Sequence, residues 1–380
     1  MTYDVITVGA GPAGATLGRE LARRGINTVI LEKAHLPRYK PCAGGLPART
    51  LRFLDFDVTP VVERAIYGVV FSRGCEDRLT QRSTQPLLYT VMRDRFDAFL
   101  VEEARAAGAR VVEGQVVKHV EISGGSVRVI TTQDVWSARV VAGADGAFSA
   151  VARRLGLMRG VPSSVAIEGE FNLPTSTLEA WDDTIALDLG TLPDGYGWLF
   201  PKREYLSIGV GGPHRQGRRL KTYHRALLEA RLGDVPRRPQ RLTGHILTHR
   251  WPGMAIYWGP VLLLGDAAGL TDPWNGEGIY YAIRSAQLAA PAIERALTDG
   301  ESLQAYERSV DEELMPDLLT ARICGWVYHL WPGLFLRQRS HNARVWRAFC
   351  ALLQKGTAYA RIRERIPPVR MLVRRWLTGH

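Results

Sequence analysis

A glycine-rich loop close to the start of the chain limits its possible folds more than any other feature. The largely apolar run Tyr3–Val8 has the composition of a buried strand, and the loop Gly9-Ala10-Gly11-Pro12-Ala13-Gly14 follows it directly. The loop opens a predicted helix at Pro12–Arg24, and a second buried strand is predicted at Thr28–Leu31. A strand, a glycine loop, a helix and a second strand in this order predict a dinucleotide-binding unit.

The glycines of this loop and the acid after the second strand have separate physical tasks. Gly9 permits the tight turn, Gly11 lets a pyrophosphate approach the backbone, and Gly14 lets the helix pack on the strand. The helix N-terminus then offers amides and positive potential to the phosphates. Glu32 ends the second strand, where an acid accepts hydrogen bonds from ribose hydroxyls; the alternative is a charge that only ends the strand.

Two later segments carry acids of the same kind. Ala144-Asp145-Gly146 is the first, and the second places Asp266 directly after the buried strand Val261–Leu264, where its carboxylate is positioned for a polyol such as a ribityl chain. Gly276 and Gly278 open the next predicted helix and leave room for an isoalloxazine ring. Each Asp-Gly pair alone is typical of a turn, but the three signatures in this order predict a flavin nucleotide.

These motifs, together with Arg93-x-x-Phe96-Asp97-x-x-Leu100, resemble the FAD-dependent hydroxylase superfamily. Within it, three further segments are similar to the geranylgeranyl reductase family, namely Lys40–Gly45, Tyr196–Lys202 and Asn275–Ile279. The C-terminal segment carries no motif of that family. The resemblance implies an α/β (α+β) fold: a glutathione-reductase-like FAD-binding Rossmann domain, an inserted, mostly antiparallel β-sheet substrate domain and a C-terminal helical segment.

The expected domains follow from this pattern. Residues 1–65, 93–160 and 251–310 form the discontinuous FAD-binding domain, residues 66–92 and 161–250 form the substrate domain, and residues 311–380 form a helical segment rich in basic and aromatic residues. The region 161–250 alternates like strands of an antiparallel sheet. Prolines predict breaks in the helical segment at Pro332-Gly333 and Pro367-Pro368.

The expected FAD contacts combine the loop residues with positions that the resemblance implies. They are Gly9, Gly11, Ala13, Gly14, Glu32, Lys33, Cys42, Ala43, Gly44, Gly45, Arg93, Val117, Asp145, Asp266, Gly276, Gly278 and Ile279. Two residues depart from the family pattern. Ala43 stands where glycine is common, and Trp274 stands where a smaller apolar residue is usual, which predicts a narrowed or reshaped pocket.

The chemistry that the resemblance implies is saturation of carbon–carbon double bonds in polyprenyl chains. Such an alkene has no neighbouring carbonyl, so a hydride from the flavin must be coupled to protonation, which requires a dry apolar slot and an acid. Cys42 is the candidate catalytic acid, or a group that shapes the position of the flavin. The alternative is a small buried residue without a chemical role.

Four aromatic residues form the expected substrate pocket: Tyr196, Trp198, Phe200 and Trp274. Tyr196 and Trp198 lie on one side of a predicted strand, which also suits ordinary core packing. Lys202 is interpreted as a surface lysine, with contact to an anionic substrate head as the alternative. His245 and His249 lack a companion acid or cysteine, so no metal is expected.

The net charge of +11 is concentrated in the C-terminal segment. Residues 321–380 hold twelve lysines and arginines and a single acid, Glu364, interleaved with aromatic residues that include Trp331, Phe335 and Trp376. This pattern predicts contact with an anionic membrane surface, with a solvated helical tail as the alternative and no support for nucleic acid. Scattered cysteines and the lack of a signal-like leader predict a cytoplasmic, peripheral membrane protein.

We therefore expect an FAD-dependent reductase of a prenyl chain on a lipid, pigment or quinone. The donor is expected to be NADPH or a ferredoxin-type protein that docks transiently, since the chain has one dinucleotide loop. A monooxygenase or halogenase on the same scaffold is the enzymatic alternative. A non-catalytic, flavin-bound membrane scaffold is the second alternative.

Overall fold

The computed structural model describes residues 2–233, 238–330 and 343–378. Its strands in chain order are β1 (Thr2–Val8), β2 (Thr28–Leu31), β3 (Gly45–Pro47), β4 (Val62–Ile66), β5 (Gly68–Arg73), β6 (Glu76–Arg82), β7 (Leu88–Val91), β8 (Arg110–Val112), β9 (Val117–Ser123), β10 (Ser126–Thr131), β11 (Val135–Gly143), β12 (Ser163–Phe171), β13 (Thr184–Leu189), β14 (Tyr196–Pro201), β15 (Leu206–Pro213), β16 (Arg241–Thr248), β17 (Tyr257–Trp258) and β18 (Val261–Leu263). Its α-helices are α1 (Pro12–Ala22), α2 (Arg93–Ala106), α3 (Ala150–Leu155), α4 (Thr175–Glu179), α5 (Gly217–Leu232), α6 (Ile279–Thr298), α7 (Gln304–Glu313), α8 (Met315–Leu330), α9 (Ala343–Gln354), α10 (Ala358–Arg365) and α11 (Pro367–Thr378).

The first sheet has the strand order β17-β18-β11-β1-β2-β8, and its strands from β18 to β8 are parallel. Val5 of β1 pairs with Thr28 of β2 on one side and with Val140 of β11 on the other. All four residues of β2 are buried, because a parallel strand in such a sheet is covered on both faces. The glycine loop therefore begins at the carboxyl end of a central strand, where nucleotides bind in folds of this type.

The second sheet has the order β16-β12-β15-β14-β13-β5-β6 and is antiparallel except for the pair β13–β5. Helix α5 covers one of its faces with Leu220, Tyr223 and Leu227, which are all buried in one cluster. A small third sheet has the strand order β3-β7-β4. Its three strands all lie between β2 and β8 in the sequence. The predicted α/β fold with an added, mostly antiparallel sheet is confirmed.

The described parts of the C-terminal segment are helical, as predicted, and the break at Pro367-Pro368 is confirmed since α10 ends at Arg365 and α11 begins at Pro367. The predicted break at Pro332-Gly333, Trp331 and Phe335 lie outside the described residues. No helix within the described ranges has both the length and the apolar composition needed to cross a bilayer.

Several aromatic residues of this segment are buried inside the protein, so they take no part in the predicted contact with a membrane surface. Tyr328 and Tyr359 are almost fully enclosed. The ring of Phe349 on α9 packs edge-on against Phe71 of β5 at 5.3 Å between centroids, and Trp346 stacks on Phe349 at 5.7 Å. Helix α9 thus covers the face of the second sheet opposite α5, because its aromatic face is apolar and that sheet face needs covering.

Candidate functional site

A cavity of about 1380 Å³ lies where the carboxyl ends of β1, β2 and β11 face strands β12, β14 and β16 of the second sheet. Ordinary small-molecule pockets occupy about 300–1000 Å³, so this cavity has room for more than one ligand. Every predicted FAD contact except Gly14 lines it, and so do the four predicted pocket aromatics. The structure therefore brings together residues that are far apart in the chain.

The glycine loop shows which glycines serve packing and which leaves space for a ligand. A methyl group on Gly14 would lie 1.8 Å from the carbonyl oxygen of Gly9, and one on Gly9 would lie 2.5 Å from that of Ala144. A methyl group on Gly11 would meet only the Arg38 guanidinium at 3.8 Å, and Gly11 has an ordinary φ of −77°. Gly11 therefore leaves open space beside the N-terminus of α1, which fits a pyrophosphate and so fits FAD.

Glu32 is almost fully buried at the carboxyl end of β2. Its Oε2 accepts a hydrogen bond from the backbone N–H of Ala10 at 2.7 Å, and its Oε1 accepts one from Ala34 at 3.1 Å. The Nε of Arg38 lies 3.3 Å from Oε1. Glu32 thus holds the glycine loop against the segment that follows β2, and its carboxylate faces the cavity.

Arg93 begins α2 and is paired with Asp97 one turn later. Its Nε and Nη2 donate to the two carboxylate oxygens of Asp97 at 2.8 and 2.9 Å, and Arg38 donates to Asp97 at 2.9 Å. Burial opposes the charge of Arg93, but the Asp97 carboxylate outweighs it and raises the Arg93 pKa. This fixed cation stands beside Cys42 in the cavity wall.

The loop that carries Cys42 is held by a buried lysine. Lys202 is 2% exposed, and its Nζ donates to the carbonyl oxygens of Ala43 at 2.6 Å and Val91 at 2.9 Å. The interpretation of Lys202 as a surface lysine is therefore wrong. Gly44 adopts φ = 63°, and a methyl group there would lie 2.0 Å from the Val91 carbonyl oxygen, so this position requires glycine.

Glu168 on β12 is an acid of this site that the sequence analysis missed. It is buried, lines the cavity and faces the backbone N–H of Cys42. Burial raises its pKa to about 7, although the nearby Lys202 ammonium opposes this rise and Glu170 adds to it. Burial in turn lowers the pKa of Lys202 to about 8, against the attraction of Glu168. The arrangement keeps a proton available on a carboxyl group near neutral pH.

Lys40 and His245 form a second polar pair that the sequence analysis did not expect. The Lys40 Nζ donates to the Nε2 of His245 at 2.9 Å, so this imidazole is neutral with its proton on Nδ1. Burial and, to a smaller extent, the Lys40 charge lower the pKa of His245 to about 4. Both residues line the cavity, across from Asp266 and Arg93.

His249 has its two nitrogens engaged within the protein. Its Nδ1 donates to the Thr271 carbonyl oxygen at 3.1 Å, and its Nε2 accepts from the Ser164 hydroxyl at 2.9 Å. Burial lowers its pKa to about 4. Among the described residues no cluster of His, Cys, Asp and Glu is arranged to hold a metal ion.

Strand β14 presents aromatic side chains to the cavity. The rings of Tyr196 and Trp198 lie 5.5 Å apart, and the Tyr196 hydroxyl donates to the Asn275 carbonyl oxygen at 2.5 Å. Burial raises the Tyr196 pKa, so the hydroxyl keeps its proton. The hydrogen bond ties the second sheet to the loop before α6, which carries Gly276 and Gly278.

Trp274 lies beside α8. Its ring contacts Gly325, where a methyl group would come within 3.3 Å of it, and lies 6.5 Å from the Tyr328 ring. The cavity continues along an apolar wall of side chains from β5, β13, β14 and α9: Phe71, Ile185, Leu187, Leu189, Phe200, Phe349 and Leu353. The C-terminal helices thus close an apolar tunnel that is continuous with the nucleotide loop.

The signals for the missed residues are weak in the sequence. Glu168 and Glu170 are two acids within a predicted strand, and Lys40 is a base beside a proline. Their importance depends on the pairing of β12 with β15 and β16, which one sequence does not reveal.

Comparison with known proteins agrees with this geometry. Residues 2–312 match the family described as FAD binding domain. An uncharacterized protein of Methanosarcina barkeri is 32% identical over 85% of this chain and 83% of its own length. The geranylgeranyl diphosphate reductase of Rhodobacter capsulatus is 31% identical over 79% of this chain and 77% of its own length. A solved structure from Thermoplasma acidophilum, a geranylgeranyl bacteriochlorophyll reductase-like protein, has a TM-score of 0.83, 24% identity and 98% coverage of both chains, and shows the same fold.

Proposed function

Because the chain belongs to the FAD binding domain family and is an FAD-dependent oxidoreductase of the geranylgeranyl reductase type, we propose that it saturates carbon–carbon double bonds of a polyprenyl chain. In this proposal the polyprenyl group is part of a lipid, a pigment or a quinone. One observation carries the proposal: a single cavity joins the glycine loop at Gly11 to an apolar tunnel between the second sheet and α9. A flexible apolar chain fits such a tunnel, because its burial removes apolar surface from water.

The Rossmann residues that line the cavity hold FAD in this proposal. Gly11 admits the pyrophosphate, Glu32 meets the ribose hydroxyls, and Asp266 meets the ribityl chain. Gly276 and Gly278 line the cavity just before α6, where this proposal places the ring system. When bound and reduced, FAD supplies the hydride; the reductant that recharges it is NADPH or a ferredoxin-type donor that docks transiently.

The protein supplies the proton and excludes water. Each saturated bond gains one hydride and one proton, and an isolated alkene needs both at nearly the same time. Glu168 holds a proton on its carboxyl group near pH 7 in a buried position beside Cys42. The Cys42 thiol is the second candidate for this role. Tyr196 and Trp198 form the wall above these groups and keep the reacting part of the tunnel dry.

Mass spectrometry of reaction products tests the proposal. The FAD-loaded protein, reduced with dithionite in the absence of oxygen, is incubated with geranylgeraniol, geranylgeranyl diphosphate and a geranylgeranyl ether phospholipid. We expect products heavier by one hydrogen pair for each bond reduced. An unchanged mass for all three compounds, or incorporation of oxygen in air, would exclude a prenyl reductase and favour the monooxygenase or halogenase alternative.

Contact with an anionic membrane surface is the second part of the proposal. Large apolar side chains at Trp326, Leu330, Met371 and Leu372 are exposed on the C-terminal helices. Exposed arginines at positions 370, 374 and 375 lie on α11 beside them. Exposed apolar and basic groups together favour a surface that carries both acyl chains and negative headgroups.

Liposome sedimentation tests this part with a matched control. The variant R370Q/R374Q/R375Q is compared with R218Q/R219Q/R225Q, which removes three exposed arginines from α5 instead. We expect wild type to pellet with phosphatidylglycerol liposomes at low salt, the α11 variant to remain in solution, and the α5 variant to behave as wild type. Equal loss in both variants would show that net charge, not this surface, drives binding.

A further inference from the structure

Arg322 on α8 lines the cavity without an oxygen partner in the described part of the chain. The other five cavity arginines each have one: Arg38, Arg93, Arg153, Arg154 and Arg215 contact Glu32, Asp97, Phe148 O, Lys118 O and Asp194, respectively. Arg322 makes no hydrogen bond or ion pair with any residue in 2–233, 238–330 or 343–378, and its guanidinium carbon lies 4.9 Å from the centroid of the Trp251 ring.

The groups around Arg322 are aromatic or neutral, so they position its guanidinium without balancing its positive charge. Trp251 is itself backed by Trp376 of α11, with 5.1 Å between the ring centroids. His249 lies near the guanidinium and is neutral, with both nitrogens engaged by Ser164 and Thr271. The site therefore presents a positioned cation with free N–H donors and no competing carboxylate among the described residues.

Arg322 lies at an open end of the cavity. Trp326 is one helical turn further along α8, also lines the cavity and is 66% exposed. Gly325, between them in sequence, contacts Trp274, where the apolar tunnel begins. An amphiphile whose chain occupies the tunnel would thus carry its polar end to the water-accessible side at Arg322. The pyrophosphate of FAD has a different place, since the arginine nearest to Gly11 is Arg38.

We propose that Arg322, seated on Trp251, is a binding site for the phosphate or diphosphate group of the prenyl substrate. This inference rests on the proposed function, because it assigns the headgroup end of the same tunnel. A guanidinium donates two parallel hydrogen bonds to phosphate oxygens, and in a half-buried position these bonds are stronger than at the open surface. The substrate class is therefore a prenyl phosphate ester, free or as a lipid headgroup, rather than a neutral prenol or quinone.

Calorimetric titration of the FAD-loaded protein tests this site. The ligands are geranylgeranyl diphosphate, a geranylgeranyl ether phospholipid and geranylgeraniol, each below its micelle concentration. The variants are R322Q, R322K and the control R218Q, which removes an exposed arginine from α5. We expect R322Q to weaken binding of a phosphate-bearing ligand by about ten- to one-hundred-fold, with geranylgeraniol unchanged and R322K intermediate. R218Q should bind all three as wild type does.

The three ligands distinguish the two sources of the phosphate, and the activity assay tests the prenyl reductase hypothesis separately from the Arg322 site. A loss confined to the diphosphate supports a free prenyl diphosphate as ligand, and a loss confined to the phospholipid supports a lipid headgroup. Unchanged affinity in R322Q, an equal loss for geranylgeraniol, or an equal loss in R218Q would overturn the site. Failure of the prenyl reductase hypothesis is seen separately, as absence of any mass gain in wild type with all three compounds.

Discussion

The Nζ of Lys202 lies 2.6 Å from the carbonyl oxygen of Ala43, so the residue that follows strand β14 of the second sheet holds the loop that carries Cys42. The same ammonium group reaches the Val91 carbonyl oxygen and stands beside Glu168. One buried lysine therefore joins three parts of the site: the loop, the third sheet and the acid.

Replacing Lys202 with methionine should destabilise the protein by about 3 kcal/mol, because two buried carbonyl oxygens and the Glu168 carboxyl lose their partner. Urea unfolding measures this loss. The exposed Lys221 of α5 provides the control, and K221M should change stability by less than about 0.5 kcal/mol. The double variant K202M/E168Q should lose less than the sum of the single changes, whereas strict additivity would contradict a coupled pair.

Two glycines of the nucleotide loop should respond differently to alanine. G11A should fold with wild-type stability and lose bound FAD, because the added methyl group occupies open space that we assign to the pyrophosphate. G14A should lose about 3 kcal/mol of stability, because its methyl group would collide with the Gly9 carbonyl oxygen. The flavin absorbance of the purified variants and their thermal unfolding report the two effects. A G11A protein that is fully yellow would refute this place for the pyrophosphate.

The rate of prenyl reduction should depend on the protonation of Glu168. Its pKa of about 7 means that the proton-donating form is present below neutral pH and is lost as the pH rises above it. Single-turnover rates should therefore fall above pH 7, and E168Q should be slower by roughly 100-fold with FAD still bound.

The neighbouring acid gives a matched comparison. Glu170 raises the Glu168 pKa, so E170Q should keep most of the rate and move the fall to lower pH. If C42A removes the pH dependence while E168Q keeps it, the thiol rather than the carboxyl group is the proton donor.

His249 should make the protein less stable in acid. Its folded pKa of about 4 lies below the unfolded value of about 6.5, so the unfolded chain takes up the proton first as the pH falls. The resulting stability is fully present above pH 6.5 and is lost as the pH falls toward 4, by an amount on the order of 3 kcal/mol. Urea unfolding at pH 7.5 and 5 should show a smaller difference for H249Q than for wild type. An equal difference in both would mean that His249 does not contribute.

The sequence predicted those parts of the fold whose local pattern and tertiary environment agree. Strands β1 and β2 are continuous apolar runs because a parallel sheet buries both faces. The glycine loop between them is predictable because its tight turn requires glycine at fixed positions. Helix α5 was missed inside a region read as strands. Its Leu220, Tyr223 and Leu227 follow a helical spacing, but its many charged residues obscure that pattern.

Buried charges were the hardest residues to predict. Lys202 stands after an apolar strand, where a charged residue usually marks the surface, and only the approach of Ala43 and Val91 explains its burial. The pairing of Lys40 with His245 spans more than two hundred positions, so no local spacing indicates it. The aromatic residues of the C-terminal segment suggested a membrane surface, yet Phe349 and Tyr328 serve as walls of the tunnel.

The most direct test of the central claim is the stoichiometry of flavin oxidation by substrate without oxygen. The FAD-loaded protein is reduced by light and mixed with geranylgeranyl diphosphate. Flavin oxidation is then measured by absorbance, and the mass of the product is measured by mass spectrometry. We predict that each reduced flavin reoxidised yields one hydrogen pair added to the prenyl chain. A flavin that stays reduced in the presence of geranylgeranyl diphosphate, geranylgeraniol and the ether phospholipid would contradict the assignment of this protein as a prenyl reductase.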